Sequence, residues 1–273
     1  WAVALAPHAQ RIWIAAGPGN NGGDGLEAAL HLHRWGKSVW VSLMRSNSNP
    51  PNEAQAAWLR AKENGVHITH DLPALWLQEM GPLDLCMDAL LGMGATRPLS
   101  GDMHNWVQTI NQSAAPVLAV DCPTGLDPES GQALGAHSES PIFVRADHTI
   151  TFIAAKPGLF MGHGRDACGH IWLEKLADLL DGDPLDGAPL TPQAWLNNVR
   201  PLPVKARASH KGSHGDVAIV GGEPMNLNGL GMTGAAVLAA TAALHAGAGR
   251  VLVGVAAAWR GRVDREPGRP LRP

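Results

Sequence analysis

The sequence lacks the features that mark several classes of protein. Its 273 residues contain only three cysteines, an odd number spread along the chain, which argues against a disulfide framework and favours a reducing compartment. No apolar run reaches the length of a membrane span, and the first residues lack the basic and apolar regions of a signal peptide. We therefore expect a cytoplasmic protein. Because the chain opens at Trp1, close to its first predicted strand, we also expect an N-terminal piece to be missing.

The chain also lacks a large excess of positive or negative charge. Charged residues make up 16% of the chain and the net charge is −3, so no basic field would attract nucleic acid or an anionic membrane. Tyrosine is absent, and the tryptophans of the predicted helices, such as Trp35 and Trp58, are expected to pack rather than to stack on bases. Neither nucleic acid nor a membrane is therefore favoured as a partner, and a homo-oligomer is left open.

Short apolar runs alternate with helical patterns in the first two thirds of the chain. The patterns predict helices over 23–35, 51–64 and 101–112, and strands over 11–16, 38–43, 83–89, 116–121 and 148–153. Strands joined by helices of this length form right-handed βαβ units with a parallel sheet covered on both faces. The expected fold is therefore α/β, a Rossmann-like domain of three αβα layers over residues 1–177.

The composition changes after this domain. Residues 178–196 are rich in Asp, Gly and Pro and predict a linker. A second unit over 197–255 follows, with strands predicted near 216–223 and 250–255 and a helix over 233–246. Residues 256–273 carry no core pattern and are expected to be disordered. Acidic residues interrupt the arginines of this tail, which disfavours a nucleic-acid arm.

A glycine-rich loop follows the first predicted strand. Gly17, Gly19 and Gly22 have the G-x-G-x-x-G spacing, which suits a phosphate at the start of a helix. The dinucleotide fingerprint also expects an acidic residue after the second strand, but that strand ends at Met44 and Arg45. An ordinary nicotinamide-dependent dehydrogenase is therefore disfavoured.

Amide and carboxyl groups crowd the same loop. Asn20, Asn21 and Asp24 fall within five residues, and the plain alternative assigns Asp24 to N-capping and the asparagines to turn geometry. A helix cap needs one such residue and not three, so we favour a binding site here.

Two later strands end in matching signals. Asp88 lies inside an apolar run, Asp121 ends another, and Thr124 follows it. The carboxyl ends of parallel strands line the ligand crevice, so these groups are expected to meet Asn21 there. Buried carboxylates need cations or protons, and oxygen ligands suit a hard metal ion. The alternative is that the two aspartates only tie loops to backbone N–H groups, and Lys156 is either a cation at the crevice mouth or a surface residue.

Four stretches together resemble a known family. "GPGNNGGDGL", "DALLGMGATRPLSG", "PVLAVDCPTGLDPESG" and "ADHTITFIAAKPGLFMG" are similar to the N-terminal domain of the bifunctional NAD(P)H-hydrate repair enzymes, the NAD(P)HX epimerase. The resemblance implies an isomerase that interconverts the R and S forms of hydrated NADH or NADPH and binds potassium. It places Asp121 at the substrate, where we expect it to act as acid and then as base.

The same resemblance implies the remaining site residues. Potassium would be held by Asn21, Asp88 and Thr124, the last in place of a serine. Substrate contacts would come from Asn20, Asn21, Gly22, Gly23, Asp24, Gly92, Met93, Gly94, Ala95, Thr96, Arg97, Pro98 and Asp121. Neither NADHX nor NADPHX is singled out, although Arg45 or Arg97 could favour an extra phosphate.

Residues 210–255 resemble the opening of the ADP-dependent NAD(P)H-hydrate dehydratase, a domain of ribokinase-like fold. The resemblance implies a hydrate contact at Ala235, and ADP or ATP with Mg²⁺ as cofactors of a complete domain. The later strands and the catalytic aspartate of that family are absent, so an incomplete ribokinase-like segment without dehydratase activity is expected. Two other functions stay open for the first domain: an NAD(P)-dependent oxidoreductase and a non-catalytic nucleotide-binding module.

Overall fold

The structure is a computed structural model of the chain. It describes residues 1–46, 49–73, 81–134, 142–174, 176, 194–197, 206–222 and 231–254. The chain divides into two compact units, residues 1–195 and 196–273. The predicted tail 256–273 and most of the predicted linker lie outside the described residues.

Unit 1 is built on a seven-stranded parallel sheet with the order β3-β2-β1-β4-β5-β6-β7. The strands are β1 (Arg11–Ala16), β2 (Ser38–Leu43), β3 (His67–Thr69), β4 (Leu85–Ala89), β5 (Val117–Val120), β6 (His148–Phe152) and β7 (His170–Glu174). All six neighbouring pairs run parallel. The strand order reverses between β1 and β4, and ligands of open α/β sheets bind beside such a reversal.

Helices cover both faces of this sheet. On one face α1 (Ala2–Leu5), α2 (Asn20–Arg34) and α3 (Asn52–Glu63) share an apolar core with the strands. On the other face α4 (Asp102–Asn111) buries Trp106 against Trp13 and Cys86. A 3₁₀ turn (Pro157–Phe160) and the short helix α5 (Gly164–Ala167) precede β7. The three-layer αβα architecture predicted from the sequence is confirmed.

Helix α2 begins earlier than predicted. Its first residue is Asn20, with Gly19 at the N-cap, whereas the pattern predicted a start near residue 23. Glycine allows the earlier start, because a Cβ at Gly22 would lie 1.8 Å from the carbonyl oxygen of Gly17. The polar residues of the loop therefore lie on the first turns of a helix, with fixed directions.

Unit 2 contains the elements that its sequence predicts. A 3₁₀ turn (Lys211–His214) precedes β8 (Asp216–Val220), α6 (Thr233–His245) and β9 (Arg250–Gly254), and the two strands are parallel. The ribokinase-like assignment stays a prediction. In the described part of the chain, no helix has both the length and the apolar character needed to cross a membrane.

Candidate functional site

The carboxyl ends of β1, β4, β5 and β6 lie side by side and surround one cavity of unit 1. Its volume is about 570 Å³. Polar groups reach it from the start of α2 and from the residues after β5 and β6, and the loop after β4 closes one side. The lining includes Asn20, Asn21, Asp24, Gly92, Met93, Gly94, Ala95, Asp121 and Lys156. Of the four groups predicted to meet in the ligand crevice, Asn21 and Asp121 line this cavity, whereas Asp88 and Thr124 do not.

Asp121 and Lys156 form an ion pair at this cavity. The Lys156 Nζ donates to Asp121 Oδ1 at 2.6 Å, and the side chains are only 10% and 15% exposed for Lys156 and Asp121. The same ammonium donates to Thr151 Oγ1 at 2.7 Å and to the Phe152 carbonyl at 2.9 Å. All three of its N–H groups are therefore engaged, and the side chain is held in one direction.

The second carboxylate oxygen of Asp121 faces the loop after β4. Oδ2 accepts a weak hydrogen bond from the Met93 N–H at 3.3 Å. A Cβ placed at Gly92 would lie 3.1 Å from this oxygen and 3.3 Å from Asn21 Oδ1. Glycine at position 92 thus leaves a small space between the carboxylate of Asp121 and the amide of Asn21.

Asn21 has an unusual environment. The residue is buried, and neither its Oδ1 nor its Nδ2 atom has a hydrogen-bond partner among the described residues. A buried polar group without a partner costs about 1–3 kcal/mol. An amide that is orphaned beside an open space is typical of a group that serves a ligand, so the plain alternative of turn geometry does not account for Asn21.

Asp88 and Thr124 are fully buried and do not line this cavity. The Asp88 carboxylate accepts the Thr124 N–H at 2.8 Å, the Thr124 hydroxyl at 2.7 Å and the Leu90 N–H at 3.2 Å. Burial raises the pKa of Asp88 to about 6, although these hydrogen bonds act in the opposite direction. These contacts agree with the alternative in which Asp88 ties loops to backbone N–H groups.

Thr124 uses most of its polar groups within the protein. Its hydroxyl accepts from the Leu91 N–H at 3.0 Å, and its carbonyl accepts from the Val144 N–H at 2.8 Å. The hydroxyl still has a free lone pair that could face a ligand.

Asp24 is not the N-cap of α2. It lies in the second turn, and the cap residue Gly19 makes no side-chain cap bond, so the capping interpretation is wrong. Asp24 and Asp121 both line the cavity. Desolvation and the charge of Asp121 both raise the pKa of Asp24, which favours its protonated form.

Some predicted contacts do not line this cavity. Gly22 and Gly23 instead allow close packing, the first against Gly17 and the second against Ala54. Ala235 belongs to α6 of unit 2. Three further predicted contacts in the loop after β4 line a neighbouring cavity of about 960 Å³. These residues are Thr96, Arg97 and Pro98.

The sequence did not decide whether Lys156 is a cation of the crevice or a surface residue. Its partner Asp121 lies 35 positions earlier, so no local pattern joins the two. The one available signal was position, because Lys156 follows the end of β6, which pairs with β5. Once the strand order is known, both residues must face the same edge of the sheet.

Comparison with known proteins places the chain among relatives. Residues 1–158 match the family described as YjeF-related protein N-terminus. An NAD(P)H-hydrate epimerase of Achromobacter xylosoxidans is 39% identical over 159 residues, which cover 58% of this chain and 71% of that protein.

Longer relatives match most of the chain. A Bifunctional NAD(P)H-hydrate repair enzyme Nnr of Escherichia coli is 36% identical over 255 residues, 90% of this chain and 45% of the relative. A Bifunctional NAD(P)H-hydrate repair enzyme of Leishmania braziliensis is 36% identical over 246 residues, 88% and 42% respectively. The chain thus spans less than half the length of these bifunctional relatives. The family match covers more than half of the chain, and the chain belongs to the YjeF-related N-terminal domain family.

Proposed function

We propose that the first unit catalyses the epimerisation of hydrated NADH and NADPH, interconverting their R and S forms in the repair of nicotinamide nucleotides. The observation that carries the proposal is the cavity in which the buried pair of Asp121 and Lys156 faces the unpartnered amide of Asn21. The names of the relatives, epimerase and repair enzyme, support the same substrate class.

The reaction needs a group that gives a proton to the departing hydroxyl and takes one back from the returning water. In the hydrate, a hydroxyl group sits on the carbon next to the ring nitrogen. When an acid protonates this oxygen, the nitrogen lone pair expels water and leaves a planar cation. Water that returns to the opposite face gives a proton back and inverts the centre, so atoms and charges balance over the cycle.

Asp121 is proposed to carry this proton through its Oδ2 atom. Oδ1 is bound to Lys156, whereas Oδ2 has only the 3.3 Å contact with the Met93 N–H. Lys156 is proposed as a positioning residue, since its three N–H groups fix the carboxylate and balance its charge after the proton leaves. Asp24, which also lines the cavity, is proposed as a second carboxyl group that contacts the substrate.

We also propose a potassium ion at this site, which the chemistry of its oxygen groups supports. The orphaned Asn21 Oδ1, the buried carboxylate of Asp88 and the hydroxyl of Thr124 are hard ligands, and a cation would offset the burial of Asp88. Within the described residues, no group of three or more His, Cys, Asp or Glu could hold a metal, so such an ion would depend on amide and hydroxyl oxygens. When bound, it would supply positive charge that orients the substrate oxygens.

The test uses chiral chromatography of the purified hydrates. The 273-residue chain should convert either epimer to the equilibrium mixture, faster in potassium chloride than in tetramethylammonium chloride of equal ionic strength. Asp121→Asn should lose at least about 100-fold in rate, the usual contribution of an acid–base group. Arg165→Ala on α5, outside every cavity described above, is the matched control. Full activity of Asp121→Asn would refute the assignment.

The other functions give different results in the same samples. A non-catalytic module would bind the nucleotide without changing the epimer ratio, and an oxidoreductase would transfer hydride to unmodified NADP⁺ or from NADPH. For unit 2 we propose the opening part of a dehydratase-like domain, with ADP or ATP and Mg²⁺ as cofactors of the complete domain only.

A further inference from the structure

The cavity beside the end of β2 contains two arginines. It has a volume of about 960 Å³ and is lined by Arg45, which follows β2, and by Arg97 of the loop after β4. Neither guanidinium forms an ion pair with any residue that the structure describes. Two guanidinium groups without an ion-pair partner among the described residues line this cavity, and such groups suit an anion with several oxygens.

This cavity adjoins the candidate active site. Pro18, Leu91, Gly94 and Ala95 line both cavities, so the two lie next to each other at the carboxyl edge of the sheet. The strand order places β2 and β5 three strand spacings apart, roughly 14–15 Å. A molecule with its reacting ring at Asp121 and a second nucleoside near Arg45 would have to be an extended dinucleotide.

We propose that Arg45, together with Arg97, binds the 2′-phosphate of the adenosine ribose, so that this chain prefers the hydrate of NADPH to that of NADH. The residue after the second strand of a dinucleotide-binding sheet lies beside this ribose: an acidic side chain there binds the free 2′-hydroxyl, whereas an arginine accepts a phosphate. This inference rests on the proposed function for its substrate class, but it concerns the other end of the molecule.

One carboxylate opposes the arginines. Asp102, in the first turn of α4, also lines the cavity. Its negative charge would weaken the binding of a phosphate, and the helix start around it acts in the opposite direction. Asp102→Asn is therefore expected to strengthen binding of the 2′-phosphate, because it removes the repulsion between the two negative charges.

The test measures binding rather than turnover, with two probes that differ by one group. Isothermal titration of the full chain with 2′-phospho-ADP-ribose and with ADP-ribose should give a dissociation constant at least about ten-fold lower for the phosphorylated probe, as a charge-assisted contact provides. Arg45→Ala should reduce this ratio to less than about three-fold, and Arg45→Lys should leave an intermediate ratio because it keeps the charge without the paired donors. Arg165→Ala is the control and should keep the full ratio.

Equal affinities of the unchanged protein for the two probes would overturn the inference, as would an Arg45→Ala variant that keeps the full ratio. Failure of the proposed function looks different, because it would appear as no conversion of the hydrate epimers while the preference for the 2′-phosphate persists. A preference that disappears in Arg45→Ala supports the inference in either case.

Discussion

The ion pair between Asp121 and Lys156 allows a double-mutant cycle at the centre of the candidate site. The cycle compares Lys156→Met, Asp121→Asn and the double variant with the unchanged protein. At the observed 2.6 Å, two unit charges attract by about 6 kcal/mol for an effective dielectric constant of about 20. Desolvation of both groups offsets part of this attraction, and measured couplings of close charge pairs span about 1.5–7 kcal/mol. We expect a coupling free energy of about 2–4 kcal/mol.

Tryptophan fluorescence during urea unfolding measures this coupling. The ten tryptophans lie at positions 1, 13, 35, 40, 58, 76, 106, 172, 195 and 259, so all but one belong to unit 1 and the signal reports the unit that contains the pair. The denaturant slope should stay unchanged, which establishes that the variants differ in stability and not in compactness.

Each single variant should unfold at lower urea than the unchanged protein. The combination should recover part of the loss, because neither charge is then buried alone. A coupling below about 0.5 kcal/mol would mean that the pair behaves as an exposed surface ion pair, and the role of Lys156 in holding Asp121 would be refuted.

Three further results are expected. Gly25→Ala should lower the free energy of unfolding by about 1–3 kcal/mol, because its Cβ would lie 2.6 Å from that of Ala89, whereas Gly19→Ala meets nothing within 4 Å and should be nearly neutral in urea unfolding. Arg11 lowers the pKa of Asp84, so stability from this pair should be present above about pH 4 and lost as pH falls further. Acid titration of Asp84→Asn should lack this dependence, and a curve identical to that of the unchanged protein would contradict it. The thiols should not react with a disulfide reagent at pH 8 until the chain unfolds, because burial raises the pKa of all three cysteines, Cys86, Cys122 and Cys168.

The sheet could be predicted from the sequence because most of its strands are continuous apolar runs. The predicted bounds of β1 and β2, 11–16 and 38–43, agree with the observed ones. Strands β3 and β7 were not predicted. His67–Thr69 has only three residues, and His170–Glu174 is half exposed at the edge of the sheet, so neither has the burial that produces a strong apolar pattern.

The candidate site could be predicted only in part. Asn21 and Asp121 were found because polar residues at the ends of apolar strands stand out in a sequence. Two features were invisible: the bond from Lys156 to Asp121 and the hydrogen bonds from Thr124 to Asp88. Each depends on contacts between segments far apart in the chain, and the register of such contacts follows from the strand order rather than from any local pattern.

Backbone geometry decides which substitution can test the chemistry of Asp121. Asp121 has a φ of 67°, in the left-handed region that most side chains avoid, and Ile153 after β6 has the same value. Asparagine and aspartate tolerate this region better than other non-glycine residues, and backbone strain tends to gather at functional sites. Asp121→Asn therefore keeps the backbone and removes only the exchangeable proton and the charge. Asp121→Leu would add strain to the loss of the carboxylate, so a rate lost in the leucine variant but kept in the asparagine variant would assign the residue a structural role and exclude the acid–base role.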